Sequence, residues 1–167
     1  MPEDFSEQQR YWMGEALREA ALAETLGEVP AGAVLLDSEG RLIGRGRNQV
    51  IGLSDPTAHA EILALRAGAA ELGNYRLSGA VLYSTLEPCA MCLMAAVHAR
   101  LACVIFGARE PRWGAAGSLV NLAELPGLNH RLSISGGLMA EECGKLISDF
   151  FRNKRRPIKE GLDHGMH

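Results

Sequence analysis

Two short segments carry side chains that suit one kind of metal chemistry, so the fold must bring them together. They are His59-Ala60-Glu61 and Pro88-Cys89-Ala90-Met91-Cys92, with 26 residues between them. Imidazole nitrogen and thiolate sulfur are ligands that zinc takes readily. Three protein ligands leave the fourth tetrahedral position open, as in catalytic rather than structural zinc sites. The pattern therefore predicts one catalytic zinc ion per subunit, bound by His59, Cys89 and Cys92.

Glu61 is the candidate for proton transfer at this centre. Zinc lowers the pKa of a coordinated water to about 7. Attack of that water on an amidine-like carbon requires the water to lose a proton and the departing amine to gain one. A carboxyl group that lies beside the metal without binding it can do both. A bare C-x-x-C would equally indicate a redox pair or a closed structural zinc site, so the prediction depends on the joint pattern.

The flanking residues predict that both ligand sets lie at helix N-termini. Asp55-Pro56-Thr57 is a helix-start signal ahead of His59, and Pro88 is a typical first-turn residue ahead of Cys89. The partial positive charge at a helix N-terminus favours thiolate over thiol, and thiolate is the form that binds zinc.

The hydrophobic pattern predicts one α/β domain over residues 1–167, with a tail that frays from about residue 157. The chain has 167 residues, of which 47% are hydrophobic, enough for one sizeable core. Helices are predicted over 8–27, 59–72, 89–100 and from 138 onward, and strands over 29–37, 41–50, 80–85, 101–107 and 131–135.

Two of these elements carry further expectations. The helix over 89–100 is apolar nearly all round, which predicts a buried helix. The strand, helix and strand over 80–107 predict a parallel crossover unit. Because ligands of α/β folds bind beyond the carboxyl ends of strands, the Gly-rich loop 108–118 is expected to border the site.

The charge distribution restricts any nucleic-acid contact to a local patch. The net charge is −3, so the molecule as a whole is not a nonspecific binder of polyanions. Five of the eight residues 152–159 are basic, and they follow an aromatic residue that could stack on a base. A solvated helix end, whose cations suit the helix dipole, is an equally consistent interpretation.

The sequence predicts a cytoplasmic protein without a membrane span. The N-terminus is acidic and has no apolar signal region, and no apolar run approaches ~18 residues. Four cysteines in an unexported chain suit a reducing compartment. Cys103 and Cys143, which the zinc site does not use, lie in apolar patterns and are predicted to be core residues.

Asn48 has two interpretations at this stage. It stands at the end of the second predicted strand, where Asn commonly forms a turn, and this structural role is favoured from the residue alone. A functional role, in which its amide hydrogen-bonds to a base, remains open.

Several further segments resemble the bacterial tRNA-specific adenosine deaminases, over roughly residues 8–156. The segments are DPTAHAEI (55–62), NYRL (74–77), TLEPCAMC (85–92), FGAR (106–109), GAAGS (114–118), NHR (129–131) and SDFFR (148–152). The order H-x-E then P-C-x-x-C is the signature of the wider zinc deaminase group. The zinc motif alone indicates only that group, and DPTAHAEI with GAAGS and DFFR is far more specific.

This resemblance implies a fold, a reaction and further site residues. The fold would be a cytidine-deaminase-like three-layer α/β/α sandwich with a five-stranded mixed sheet. The reaction would be hydrolysis of adenosine to inosine at the wobble position of a tRNA anticodon, by a homodimer that binds the anticodon stem-loop. Asn48 would contact the target base, with Ala60 a further substrate-contact candidate, and Phe151 and Arg152 would meet the stem-loop.

The chain departs from the family in the loop after residue 109. Asp is common where Glu110 stands, and a Lys-Thr-like pair where Arg112-Trp113 stand. Glu110 remains a substrate-binding candidate with a carboxylate displaced by one methylene, and Trp113 either adds a stacking surface or packs. Contacts with the nucleotides that flank the target are therefore where this chain is expected to differ.

Two other functions are open from the sequence. A deaminase of a free nucleobase or nucleotide, of guanine or cytosine type, would use the same zinc motif with another pocket shape. A non-catalytic RNA-binding module with structural zinc would need a fourth protein ligand.

Overall fold

The computed structural model describes residues 4–163, with side chains described up to residue 155. The helices in this range are α1 (Glu7–Thr25), α2 (Ala60–Leu72), α3 (Ala90–His98) and α4 (Ala140–Asp163). The strands are β1 (Gly32–Leu36), β2 (Leu42–Arg47), β3 (Val81–Leu86), β4 (Cys103–Ala108) and β5 (Ser133–Gly136). Each predicted helix and strand is present, with bounds shifted by a few residues. The frayed tail stays a prediction, and its last residues, 164–167, lie outside the described part.

The five strands form one mixed sheet in the order β2-β1-β3-β4-β5. β1 pairs antiparallel with both β2 and β3, whereas β3, β4 and β5 run parallel to one another. β1 and β2 therefore form a hairpin, and the predicted parallel crossover unit around α3 is confirmed.

Helices cover both faces of the sheet, as predicted for a three-layer α/β/α sandwich. α2 and α3 pack on one face, with a core that includes Leu35, Leu82 and Val104. α1 and α4 pack on the other face, over Val34 and Ile105. The alternation of Val34 and Leu35 between the two cores follows from the two-residue period of a strand. Cys143 is 1% exposed in the second core, as predicted.

Two glycines of β2 allow α2 to approach the sheet closely. A methyl group at Gly44 would collide with the Ala64 carbonyl, and one at Gly46 with the Ala60 carbonyl. Because backbone rather than a flexible side chain lies there, neither position can take a larger residue without moving α2. This contact sets the position of the N-terminus of α2, where the first predicted metal ligand lies.

The segment Asp55-Pro56-Thr57 precedes α2, as the helix-start signal predicts, but it forms a turn rather than the cap of the helix. Asp55 does not cap the helix; its carboxylate accepts hydrogen bonds from the backbone N–H (2.8 Å) and hydroxyl (2.7 Å) of Thr57 and so closes the preceding turn. His59 occupies the N-cap position and makes no side-chain capping hydrogen bond. Its imidazole instead points toward two cysteines.

Among the described residues, no helix combines the length and the apolar character needed to cross a membrane.

Candidate active site

The three predicted zinc ligands converge from two helix N-termini. His59 is the N-cap residue of α2, Cys89 is the N-cap residue of α3, and Cys92 lies in the first turn of α3. The His59 Nδ1 atom is 3.6 Å from the Cys89 Sγ and 3.5 Å from the Cys92 Sγ. All three ligand atoms lie within 4.8 Å of one another. The parallel pairing of β3 with β4 brings α3 back beside α2, so residues 30 apart in sequence meet.

The separations of these ligand atoms fit a zinc ion. In a tetrahedron with Zn–S about 2.3 Å and Zn–N about 2.1 Å, sulfur and nitrogen ligands lie about 3.6 Å apart. Within the part of the chain that the structure describes, the cluster contains these three ligands and no fourth. The donor set and its number therefore match an open zinc site.

The three ligand side chains strongly affect one another's ionisation. The hydrogen bond from Cys92 lowers the pKa of the Cys89 thiol to about 4 against the opposing effect of burial, and His59 adds to the shift. The same hydrogen bond and burial raise the pKa of Cys92. The hydrogen bond with Cys89 raises the pKa of His59. Cys89 is thus the ligand that loses its proton most readily, and zinc binding would require the remaining ligand protons to leave as well.

Glu61 lies beside the cluster in the first turn of α2 and is 5% exposed. Burial raises the pKa of its carboxyl group, and a hydrogen bond with Cys92 acts in the opposite direction. It lines the same cavity as His59 and Cys89. The structure therefore places a carboxyl group next to the ligands, outside the ligand cluster itself.

The cavity above the cluster has a volume of about 580 Å³ and is mostly apolar. That volume is within the usual range for small-molecule sites. Asn48, which follows β2, lines the cavity, and its Oδ1 accepts a hydrogen bond from the backbone N–H of Ala60 at 3.1 Å. The Asn48 amide NH2 has no partner among the described residues. Ala60 itself is fully buried, so its N–H orients Asn48 while its side chain stays away from the cavity.

The loop 108–118 borders this cavity, as the sequence predicts, through Glu110 and Trp113. The carboxylate that holds the loop is Glu87, which is 2% exposed. It accepts hydrogen bonds from the backbone N–H groups of Glu110 (3.1 Å), Ala116 (3.1 Å) and Ser118 (3.0 Å), and from the Ser118 hydroxyl. Burial would raise the pKa of Glu87, but these hydrogen bonds outweigh it, so its pKa is lowered.

Glu87 is a residue of the site that was not predicted from the sequence. The available signal is a lone carboxylate between a buried strand and an apolar helix, followed by a Gly-rich loop with many free N–H donors. Such a buried carboxylate requires hydrogen-bond donors, and the loop supplies them.

Phe151 and Arg152 lie on α4, and neither lines the catalytic cavity. Phe151 is 44% exposed and packs edge-to-face on Phe150, which is buried. The Arg152 guanidinium is 3.6 Å from the Asp149 carboxylate. These two candidates therefore form a surface separate from the cavity. Lys154 belongs to the same surface, with its ammonium group 5.0 Å from the centroid of the Phe150 ring.

Comparison with known proteins identifies relatives over most of the chain. Residues 6–108 match the family described as the cytidine and deoxycytidylate deaminase zinc-binding region. A tRNA-specific adenosine deaminase of Haemophilus influenzae is 48% identical over 147 residues, which cover 88% of this chain and 85% of that protein.

Solved structures show the same fold. A structure from work on A-to-I editing by tRNA:A34 deaminases at the wobble position of transfer RNA superposes with a TM-score of 0.79 at 42% identity, covering 81% of this chain and 98% of that one. A guanine deaminase from Nitrosomonas europaea superposes with a TM-score of 0.74 at 23% identity, covering 90% of this chain and 87% of the other. At that identity the second similarity concerns the fold alone.

Proposed function

Because this chain belongs to the cytidine and deoxycytidylate deaminase family, and within it to the tRNA-specific adenosine deaminases, we propose that it hydrolyses adenosine to inosine at the wobble position of tRNA anticodons. The observation that carries the proposal is a three-ligand His/Cys/Cys cluster with a buried carboxyl group beside it, at the bottom of a cavity of about 580 Å³.

His59, Cys89 and Cys92 would hold the zinc ion, which when bound supplies Lewis-acid activation of a water molecule. Glu61 would take one proton from the attacking water and pass it to the ring nitrogen next to C6. It would then take the second proton, from the hydroxyl group that the addition places on C6, and pass it to the departing amine. The sum of these transfers is addition of water at C6 and release of ammonia. A buried carboxyl group suits this role because no bulk water competes for its proton.

Asn48 would orient the purine ring. Its Oδ1 is occupied by the Ala60 N–H, so its two amide hydrogens are available to a ring nitrogen of the base. Ala60 contributes indirectly, since its N–H holds the Asn48 side chain in place. The base must leave its stack to enter the cavity, which costs least in a single-stranded loop such as that of an anticodon.

The proposal includes a homodimer. The outer face of α3 is not fully buried, contrary to the prediction, because Met94 and Ala95 are only part-buried in this chain. Next to them lies an apolar groove of about 340 Å³ between α2 and α3, lined by Ile62, Leu65, Arg66, Ala69, Tyr75, Leu77, Ala95, His98 and Ala99. Exposed apolar surface of this kind suits contact with a second subunit. Sedimentation analysis is expected to give twice the chain mass.

The cellular location is part of the same proposal. Thiolate ligands such as Cys89 and Cys92 require a reducing compartment, and the substrate is a tRNA, so we place the protein in the cytoplasm.

Inosine formation tests the proposed function directly. Purified protein is incubated with an anticodon stem-loop RNA that has adenosine at the first anticodon position, and with the same RNA carrying guanosine there. We expect inosine from the first RNA, no product from the second, and loss of activity with a zinc chelator. Free guanine and cytosine are assayed in parallel, and turnover of either without inosine formation would favour the free-base alternative. Stoichiometric zinc without any turnover would favour the non-catalytic module.

The basic surface at the end of α4 gives a prediction about affinity. Replacing Arg152, Lys154 and Arg155 together with Ala should weaken stem-loop binding about tenfold or more near physiological salt and reduce the slope of log affinity against log salt by up to about two. The physical reason is the loss of cations that displace counterions from phosphates. Binding is measured by fluorescence anisotropy at several salt concentrations.

A matched control removes three exposed cations elsewhere, namely Arg18, Arg41 and Arg76. This control should leave the salt slope nearly unchanged. Equal losses in the two triple variants would mean that overall charge, rather than the α4 surface, determines affinity.

A further inference from the structure

Trp113 lies at the mouth of the catalytic cavity with most of its indole in solvent. It is 70% exposed and lines the cavity together with His59 and Glu61. Among the described residues it takes part in no aromatic pair and no cation–π contact. An indole buries 150–250 Å² when it packs in a core, so leaving this one exposed forfeits a large stabilisation. Its exposure beside a binding cavity therefore indicates a contact with a ligand rather than with the protein.

The backbone around Trp113 is fixed relative to the three predicted zinc ligands. The Gly114 N–H donates to the Glu110 carbonyl at 2.8 Å, which closes a tight turn that contains Trp113. Gly114 also forms a β-bridge with the metal ligand Cys89, and the Ala115 N–H donates to the Pro88 carbonyl at 2.9 Å. The indole thus projects from a turn that is connected directly to the start of α3.

The buried side chain of Glu87 also fixes this turn. Its carboxylate binds the backbone on both sides of Trp113, at Glu110 and at Ala116. A methyl group at Gly114 would collide with this carboxylate, so the turn lies directly on it. A loop that is held at several points loses little conformational entropy when a ligand binds.

We propose that Trp113 is a stacking platform for the base of a nucleotide next to the target adenosine. When the adenosine leaves the stack to enter the cavity, its neighbours lose a stacking partner. An indole plane at the cavity mouth can replace that partner, and it does so for any base because every base has a π-face. The inference rests on the proposed function and adds a specificity-determining contact to it.

A double-mutant cycle between protein and RNA tests the contact. The rates of the wild type and of Trp113→Ala are compared on the stem-loop RNA and on versions in which the 5′ or the 3′ neighbour of the target is abasic. We expect Trp113→Ala to lower kcat/KM about 5- to 150-fold on the intact RNA, with most of that loss absent on one abasic RNA. Trp113→Phe should restore part of the activity. No loss, or the same loss on all three RNAs, would overturn the stacking proposal.

Matched controls separate stacking from general effects. Tyr11, 59% exposed on α1, is the aromatic control, and Tyr11→Ala should leave kcat/KM unchanged on every RNA. If the wild type makes no inosine from any stem-loop, the proposed function fails and the inference falls with it. If the wild type is active and Trp113→Ala matches it, only the stacking contact is wrong.

Tryptophan fluorescence gives an independent measurement. The chain has two tryptophans. The other, Trp12, lies on α1, which covers the face of the sheet opposite to α2 and α3. In Trp12→Phe the emission comes from Trp113 alone, and stem-loop RNA should quench it with the same affinity that anisotropy reports. In Trp113→Phe the RNA should cause little quenching. The reverse assignment of the quenching would contradict the proposal.

Discussion

Replacing Glu61 with Gln is expected to lower the rate of inosine formation by about 10²–10⁴-fold or more while the protein keeps its zinc. Gln preserves the shape of the side chain but cannot take a proton from water or deliver one to the leaving amine. Because Glu61 lies outside the three-ligand cluster, removing its charge should not release the metal. The rate is measured on stem-loop RNA, and zinc per chain by elemental analysis.

Glu71 provides the control on the same helix, since it is exposed and distant from the cavity. Glu71→Gln should keep both the zinc and the rate. Loss of zinc in Glu61→Gln would identify Glu61 as a ligand and would contradict the proposed proton transfer.

Replacing Cys92 with Ala is expected to remove both zinc and activity. Cys92 is fully buried and supplies one of three ligands, so its loss leaves two, which is too few for a catalytic zinc site. The wild type should also lose thermal stability when a chelator is added, because a ligand that binds only the folded state stabilises it, by about 4 kcal/mol at a thousand times its Kd. Zinc per chain and the midpoint of thermal unfolding, with and without chelator, are the measurements.

Cys143→Ala is the matched control, because Cys143 is equally buried but lies in the other core. It should lower the unfolding midpoint modestly and keep the zinc, the activity and the response to chelator. A Cys92→Ala protein that still holds one zinc per chain would show that another residue completes the site.

The order of elements follows from local properties of the chain, which explains why it could be predicted. Short apolar runs bounded by turn residues indicate buried strands, as in β1, β3 and β4, and a 3.6-residue apolar period indicates helices, in both cases without knowledge of the fold. The start of α2 shows the limit of such signals, since Asp55 closes a turn instead of capping the helix. Nothing local separates these two uses, because both satisfy backbone N–H groups two or three residues later.

Asn48 shows how a site residue depends on tertiary contacts. From sequence its side chain had a structural and a functional interpretation. In the fold its Oδ1 binds the Ala60 N–H, while the side chain lines the cavity. The Oδ1 atom therefore serves the structural role, and the NH2 group is available for the functional role. This division depends on the approach of α2 to β2, which the sequence does not show.

The sequence by itself determined the chemistry of the centre, because ligand type and spacing are properties of the residues. His59, Cys89 and Cys92 are the metal donors, and Glu61 is the neighbouring carboxyl group for proton transfer. Tertiary structure alone decided which distant groups serve that centre. The buried carboxylate of Glu87 and the exposed indole of Trp113 acquire their positions from hydrogen bonds between residues more than 20 apart in sequence. Such partners are selected by the packing of the sheet and its helices, and no local pattern encodes them.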